Sequence, residues 1–240
     1  MRRKLSHEMM DDPAADRAEL EASLRFIRKI NVRLGGAQAL VGKLARWSKS
    51  WPTDRPVTLL DIATGSADIP LACRRWAQRA GFDLRITAID RHATTLDLAR
   101  EHVGGAEGVG GIELVEADAL KLIDRFEPES FDYVHAGMFL HHLPEIEVMT
   151  VLRIMDRLAR AGIVWNDLVR SRVGVAAIRV MTTGQPEMVR HDAKVSVEAG
   201  FTPSEVRELA RRLDLDYAAL RWSLLKHRFT LSGEKPGAWG

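Results

Sequence analysis

The chain has 240 residues, of which 46% are hydrophobic and 28% charged, as in ordinary globular proteins. Its 35 basic and 33 acidic side chains nearly cancel, which argues against nucleic acid or an anionic membrane as a partner. The single cysteine, Cys73, excludes a disulfide framework, and no stretch has the roughly 18 apolar residues that a membrane span needs. We therefore expect a cytoplasmic protein, with residues 1–4 as a short exposed terminus rather than a secretory signal.

The predicted elements begin with two helices. Residues 16–36 place leucine and isoleucine on one helical stripe and end at Gly35-Gly36, a common C-terminal stop. A second helix is predicted roughly over 37–51. Strands and helices then alternate, which is typical of a parallel sheet covered by helices. The predicted strands are 57–62, 84–89, 112–116, 131–136 and 162–167, and the helices are 68–80, 93–102 and 145–160.

The last third breaks this alternation. We predict a helical stretch near 171–183, a loop around Arg190-His-Asp192, and a helix from Thr202-Pro203 to Leu213. Two strands follow, about 215–223 and 227–233, and only a few residues separate them. So short a connection can join only antiparallel neighbours. The sequence therefore predicts an α/β fold with a mostly parallel sheet that ends in an antiparallel hairpin.

The loop after the first strand reads Asp61-Ile-Ala-Thr-Gly-Ser-Ala-Asp68. Ligands of open parallel sheets bind beyond the carboxyl ends of the strands, and Asp90 ends the next strand, where it can accept hydrogen bonds from a ribose. Glycines let such loops approach a pyrophosphate, but Ala63 and Ala67 occupy two of those positions. The pattern favours a cofactor with a nucleoside and no phosphate. A plain strand-to-helix turn is the alternative for the loop alone.

Polar residues also follow the third and fourth strands. Asp118 can accept from an exocyclic amine such as that of adenine, or act simply as a loop acid or helix cap. Beyond the fourth strand, Leu140-His-His-Leu-Pro144 places two histidines before the next helix. Histidine titrates near neutrality, so His141 is a candidate general base, and His191 in the later loop is its competitor.

Together these segments resemble the motifs of the class I S-adenosylmethionine-dependent methyltransferases. They are most similar to the small-molecule enzymes akin to ubiquinone and menaquinone methyltransferases and to aromatic O-methyltransferases. The resemblance covers about 57–235, and its departure is Ala67, where the pattern usually has glycine. It implies a Rossmann-like methyltransferase fold with seven strands, in which residues 1–54 form an N-terminal helical lid segment and 55–240 the cofactor-binding domain.

The resemblance further implies S-adenosyl-L-methionine as the cofactor and a set of residues that bind it. These are Asp61; Ala63 and Gly65 at the methionine end; Asp90 at the ribose; Arg91, Asp118 and Ala119 around the adenine; and His135 beneath the sulfonium. Arg33, near the end of the lid, could pair with the carboxylate of the cofactor, although a solvated helix face explains it equally well.

The expected reaction is methyl transfer to a small, largely apolar acceptor with a phenolic, quinone-like or polyketide hydroxyl. Met138, Phe139, Met181 and Met188 are expected near the mouth of the site, where such side chains make adaptable walls. In plant-type aromatic O-methyltransferases, a histidine after the fourth strand is the base, and His141 matches that position.

Other interpretations stay open. C- or N-methylation of a small molecule, a non-catalytic cofactor-binding relative and a homodimer are all compatible with the sequence. The first loop and the terminal hairpin disfavour a nucleotide-dependent dehydrogenase. No metal is expected, because no group of carboxylates or histidines stands at ligand spacing in the sequence.

Overall fold

Seven strands and eight helices carry the fold of residues 1–223 and 225–239, the part of the chain that the computed structural model describes. The strands are β1 (Val57–Ile62), β2 (Leu84–Asp90), β3 (Ile112–Glu116), β4 (Phe131–Gly137), β5 (Ala159–Leu168), β6 (Ala219–Ser223) and β7 (Arg228–Glu234). The helices are α1 (Arg17–Leu34), α2 (Gly36–Trp47), α3 (Asp68–Ala80), α4 (Ala93–Gly104), α5 (Glu145–Leu158), α6 (Arg172–Met181), α7 (Glu187–Ala199) and α8 (Pro203–Arg212).

The strands form one sheet in the order β3-β2-β1-β4-β5-β7-β6. The first five are parallel, and β7 runs antiparallel to both β5 and β6. This arrangement confirms the predicted fold class. Because β1 lies between β2 and β4, the order of the strands reverses at β1. The loops that leave β1 and β4 therefore diverge and open a crevice at the carboxyl ends of the strands.

Burial on both faces explains why the central strands read as apolar runs. Five of the six residues of β1 are buried. Leu60 packs in one core cluster with Leu152 of α5, and Leu59 packs in the other with Leu44 of α2 and Cys73 of α3. Successive side chains point to opposite faces of a strand, so helices must cover both sides of this sheet.

Most predicted elements are confirmed to within a few residues, but the loop predicted around Arg190-His-Asp192 is wrong. These residues lie inside α7, which begins after Pro186 and buries Val189 and Val195 on its inner side. The polar triplet looked like a loop because its burial depends on partners that are distant in sequence. Two smaller corrections concern β5, which begins at residue 159 inside the predicted helix, and β6, which begins at 219 rather than 215.

The expectation that residues 1–4 form an exposed terminus holds for Met1, Arg2 and Lys4 but not for Arg3, which is docked on the fold. The Arg3 guanidinium donates to the carbonyls of Ala199, His141 and Leu143 and lies 4.3 Å from the ring centroid of Phe201. Residues 3–12, which we call the N-terminal strap, thus pack across α7 and the turn that follows β4. Among the described residues, no helix is both long and apolar enough to cross a membrane.

Tyr133 on β4 provides a test of how the sheet is tied to α2 and β7. Its buried hydroxyl accepts from Trp51 Nε1 and donates to Glu234 Oε1, each at 2.8 Å, and its ring stacks on Trp47. Tyr133→Phe leaves the buried Trp51 Nε1–H unsatisfied and removes one of the two donors to Glu234 Oε1, the other being Trp239, so it should lower the free energy of unfolding by about 1–3 kcal/mol in chemical denaturation. Tyr217→Phe is the matched control. Its hydroxyl bonds to Asp156 in a half-exposed setting, where water can replace it. Equal losses for the two variants would contradict this account.

Candidate functional site

A cavity of about 630 Å³ lies at the carboxyl ends of β1, β2 and β4. Its floor is formed by the loops that follow these strands, and α1, α6, α7 and the N-terminal strap cover it. Of the predicted site residues, the cavity wall includes Asp61, Ala63, Gly65, Asp90, Arg91, Asp118, Ala119, His135 and His141. The folding of the chain therefore brings together most of the residues that the sequence singled out.

The loop after β1 turns through unusual backbone conformations. Ala63, Gly65 and Ala67 have φ angles of 54°, 55° and 54°, in the left-handed region that favours glycine. For alanine this conformation costs about 1–3 kcal/mol and persists only where the surroundings enforce it. Ala67 is fully buried, which supplies that enforcement. Ala63 and Gly65 of this strained loop form part of the cavity wall.

Asp90, at the end of β2, is fixed by this loop. Its carboxylate accepts from the backbone N–H of Gly65 at 3.0 Å and of His92 at 3.1 Å. Burial raises the pKa of Asp90 above its usual range, and the two N–H donors only partly offset this. A carboxylate has about four acceptor positions, so two remain for a ligand that carries hydroxyl donors.

Asp118 and its neighbours form the next part of the wall. The Asp118 carboxylate accepts from the backbone N–H of Leu120 at 2.9 Å and caps a short 3-10 turn, so the helix-cap interpretation holds. The same residue lines the cavity beside Ala119, and its remaining acceptor positions leave room for an amine donor. Arg91 is 61% exposed and lies 3.7 Å from Asp11 of the N-terminal strap.

Two carboxylates, the buried Asp61 and the half-buried Asp68, lie near the carboxyl end of β1. Asp61 Oδ1 lies 2.5 Å from His135 Nδ1, and the Nε2 atom of this buried histidine has no hydrogen-bond partner among the described residues. Asp68 accepts from Asn31 Nδ2 at 3.0 Å, and burial raises its pKa. Such acceptors suit the amino group of an amino-acid tail. The sequence analysis missed Asp68 and Asn31, because neither carries a local motif beyond an acid at a helix start.

The structure does not support a cofactor contact by Arg33. Its side chain lies on the exposed side of α1 and takes no part in the cavity wall. The buried cation at this end is Arg228, which donates to Asn31 Oδ1 at 2.9 Å, while Lys226 lines the wall. Lys226 lies in the turn between β6 and β7, and Arg228 is the first residue of β7. The local sequence pattern could not predict that this turn lies beside α1.

His141 lies at the other end of the cavity, on a 3-10 turn after β4. Its Nδ1 atom is 2.6 Å from Asp167 Oδ1, and its backbone N–H donates to the other oxygen of that carboxylate. Burial alone would lower the pKa of His141, but the charge and hydrogen bond of Asp167, with Glu8, raise it to about 10. The imidazole is thus a strongly held group next to the cavity.

His191, the competing candidate, lies elsewhere. Its side chain is 43% exposed on α7 and bonds to Asp192 at 2.9 Å, and it is not part of the cavity wall. Met188 is likewise buried away from the cavity, whereas Met138, Phe139 and Met181 do line it.

Glu8 of the N-terminal strap is a second functional candidate that the sequence analysis missed. It is buried, and its carboxylate accepts from Ser196 Oγ at 2.5 Å and lies 3.6 Å from His141 Nε2. Burial would raise the pKa of Glu8, but the neighbouring His142 and His141 lower it overall. No pattern around residue 8 signals this contact, since its partners lie far away in the sequence.

The wall suits a nucleoside that carries a charged amino-acid tail. Unused carboxylate acceptors end β2 and follow β3, and two more carboxylates and an unpartnered histidine nitrogen meet at the end of β1. The loop after β1 has one glycine, Gly65, where a pyrophosphate loop needs several. S-adenosylmethionine has this chemistry, with a ribose diol, an adenine amine and an amino-acid end.

Comparison with known proteins gives the same result. A family of methyltransferase domains matches residues 59–162. The demethylmenaquinone methyltransferase of Geobacillus kaustophilus is 32% identical over 103 residues, which are 43% of this chain and 41% of that protein. The Bacillus subtilis demethylmenaquinone methyltransferase is 29% identical over 129 residues, 54% of this chain and 46% of that protein. The matches thus span less than half the length of these curated relatives.

A solved structure shows the likeness of the fold. Magnesium protoporphyrin IX methyltransferase from Synechocystis PCC 6803, with bound SAH, superposes with a TM-score of 0.57 at 11% identity. The superposition covers 85% of this chain and 83% of that one. The domain matched over residues 59–162, the order of the strands and the loops at their carboxyl ends confirm the resemblance to the class I S-adenosylmethionine-dependent methyltransferases.

Proposed function

We propose that this protein transfers a methyl group from S-adenosylmethionine to a hydroxyl of a small, largely apolar acceptor, of phenolic, quinone-like or polyketide type. One observation carries the proposal: besides the residues expected to bind the cofactor, the cavity wall includes His141 and a set of apolar side chains, which we call the apolar chamber. We further propose that residues 1–54 act as a cover over the domain formed by 55–240.

The apolar chamber supports the acceptor class. Side chains from α1, α6, α7 and the turn after β4 form its walls, among them Phe26, Ile27, Ile30, Leu34, Met138, Phe139, Ile178, Met181, Val189 and Val197. A pocket with mostly apolar walls and few polar groups selects an apolar ligand and orients it through those few groups. The chamber is therefore suited to an aromatic or isoprenoid-like body with one reactive oxygen.

Different residues would bind the cofactor and align the acceptor at the two ends of the cavity. When bound, the cofactor supplies an electrophilic methyl group on a sulfonium. Asp90 and Asp118 would hold its nucleoside, and Asp61 and Asp68 its amino-acid end. The helical cover would exclude water and align the acceptor oxygen for in-line displacement. The new bond joins that oxygen to the methyl carbon, and the hydroxyl proton leaves.

His141 is the group placed to contact the acceptor hydroxyl. His141 lines the cavity, and its buried Nε2 atom has no hydrogen-bond partner among the described residues, while Asp167 holds Nδ1. Because the pKa of His141 is raised to about 10, most molecules carry a proton on Nε2 near neutral pH and would stabilise the oxygen anion, whereas the neutral imidazole would remove the hydroxyl proton. A hydroxyl acceptor needs a polar partner at its reacting oxygen, and His141 would supply one.

The nucleoside site can be tested at Asp90. Asp90→Ala should weaken binding of S-adenosylhomocysteine by about 1.5–3 kcal/mol, the scale of hydrogen bonds to a charged group. Calorimetry measures this directly, and NAD should not bind to the native protein. Asp97→Ala, on the exposed side of α4, is the matched control and should leave the affinity unchanged. Unchanged affinity in a folded Asp90→Ala variant, or binding of NAD, would refute the assignment.

The acceptor end can be tested by comparing the two histidines. His141→Ala should lower turnover of a phenolic or quinol acceptor by about 10²–10⁴-fold, since either contribution of the imidazole is lost. Affinity for S-adenosylhomocysteine should hardly change. His191→Ala should leave turnover near the native value, because that side chain lies outside the cavity. A large rate loss in His191→Ala, with His141→Ala nearly silent, would move the reacting group to α7.

A further inference from the structure

Three side chains from two distant segments meet at the acceptor end of the cavity. Glu8 comes from the N-terminal strap, and His141 and His142 come from the turn after β4. In this set, the Glu8–His141–His142 cluster, one ligand atom of each residue lies within 4.8 Å of the others. Glu8 Oε1 lies 3.6 Å from His141 Nε2 and 3.8 Å from His142 Nε2. Both distances exceed those of hydrogen bonds.

Both imidazoles are oriented by a carboxylate on their other nitrogen. His141 Nδ1 lies 2.6 Å from Asp167 Oδ1, and His142 Nδ1 lies 2.9 Å from Asp11 Oδ2. Each carboxylate favours a proton on Nδ1, so Nε2, the nitrogen nearer to Glu8, is the atom that would release its proton and bind a cation. Histidines that bind metals in proteins almost always have such a partner on the second nitrogen, because it fixes the tautomer and the ring orientation.

A second observation is the unsatisfied hydrogen-bonding capacity of the His141 Nε2 atom among the described residues. The side chain of His141 is 1% exposed and lines the cavity, yet its Nε2 atom has no hydrogen-bond partner in the part of the chain that the structure describes. A buried polar atom without a partner costs about 1–3 kcal/mol, so a native structure rarely leaves one without a reason. The Glu8 carboxylate is fixed opposite it, because Ser196 Oγ donates to Oε1 at 2.5 Å. The backbone beside Glu8 is held too, since Met9 N–H donates to Asp192.

We propose that the Glu8–His141–His142 cluster is a site for a divalent transition-metal cation of the zinc type. Two imidazole nitrogens and one carboxylate suit such a cation, whereas magnesium and calcium prefer oxygen ligands alone. Bonds of about 2.1 Å in a tetrahedral site place ligand atoms about 3.4 Å apart. The two distances to Glu8 Oε1, 3.6 and 3.8 Å, need to shorten by only a few tenths of an ångström.

A cation at this cluster would keep a coordination position toward the cavity, where the acceptor oxygen is proposed to lie. As a Lewis acid it would lower the pKa of a bound hydroxyl and thereby favour the oxygen anion that attacks the methyl group. This role rests on the proposed function. The metal site itself does not, because it follows from the positions of the three ligands and of the two carboxylates behind them.

The test uses the full chain, freed of metal by a chelator and then dialysed. Calorimetry should show one equivalent of Zn²⁺ bound, and Co²⁺ added instead should give the visible absorption of a four- or five-coordinate site. Glu8→Gln and His142→Gln should each weaken Zn²⁺ binding by about 100-fold or more. Loss of a residue that only hydrogen-bonds to a metal ligand typically weakens binding by about 10–100-fold. His191→Gln is the matched control, a histidine that is also paired with a carboxylate but lies outside the cavity. It should bind Zn²⁺ like the native chain.

Two results would overturn the metal site. One is the absence of stoichiometric binding of Zn²⁺ and Co²⁺ by the native chain. The other is native-like affinity in both cluster variants, which would show adventitious binding. His142 is half-buried, so its variant keeps the test valid if Glu8→Gln fails to fold. Calorimetry with S-adenosylhomocysteine on the same proteins separates the two proposals. If the native chain does not bind S-adenosylhomocysteine, methyl transfer is refuted, whereas the metal site is not.

Discussion

The acceptor end of the site depends on one fully buried carboxylate, that of Asp167. A buried charge is costly unless it is paired and hydrogen-bonded. Four donors meet this requirement: His141 through its ring and its backbone N–H, the indole of Trp165 and the backbone N–H of Leu168. Burial would raise the pKa of Asp167, yet these contacts, with His141 foremost, lower it. The carboxylate thus fixes the turn after β4 and aims the His141 ring into the cavity.

The cofactor end is held by a different constraint, the reversal of the strand order at β1. The divergent loops after β1 and β4 open the crevice, and the loop after β1 enters it with two alanines in left-handed conformations. The hydrogen bond from the Gly65 N–H to Asp90 ties this loop to the end of β2. Strain in the loop is therefore balanced by contacts that also orient the carboxylate for a ligand. At each end of the cavity hydrogen-bond donors hold an acid: Asp90 itself lines the cavity, whereas the buried Asp167 orients His141.

These two ends differ in how far the sequence alone could predict them. The cofactor end is built from local motifs, in which each strand and the loop after it lie together in the chain. The bounds of β1, α3 and β3, and the positions of Asp90 and Asp118, could accordingly be predicted. The acceptor end joins Glu8 to His141 and Arg3 to Ala199, contacts that no local pattern encodes. Arg33 was misplaced for another reason: it lies off the leucine and isoleucine stripe of α1, and that stripe is the side of the helix that lines the cavity.

The acceptor end of the site is complete only when the N-terminal strap is docked, because the strap contributes Glu8. Arg3 donates to three carbonyls of the turn that carries the histidines, and Glu8 reaches that turn from the other side of the strap. Each such hydrogen bond contributes about 1 kcal/mol net, so the strap is held by a sum of modest contacts rather than by a large apolar core. Segments of this kind open locally at lower free energy than the sheet beneath them. A cation bound by Glu8 and the two histidines would join the strap to the turn directly, and it would close the chamber with the same three groups that face the acceptor.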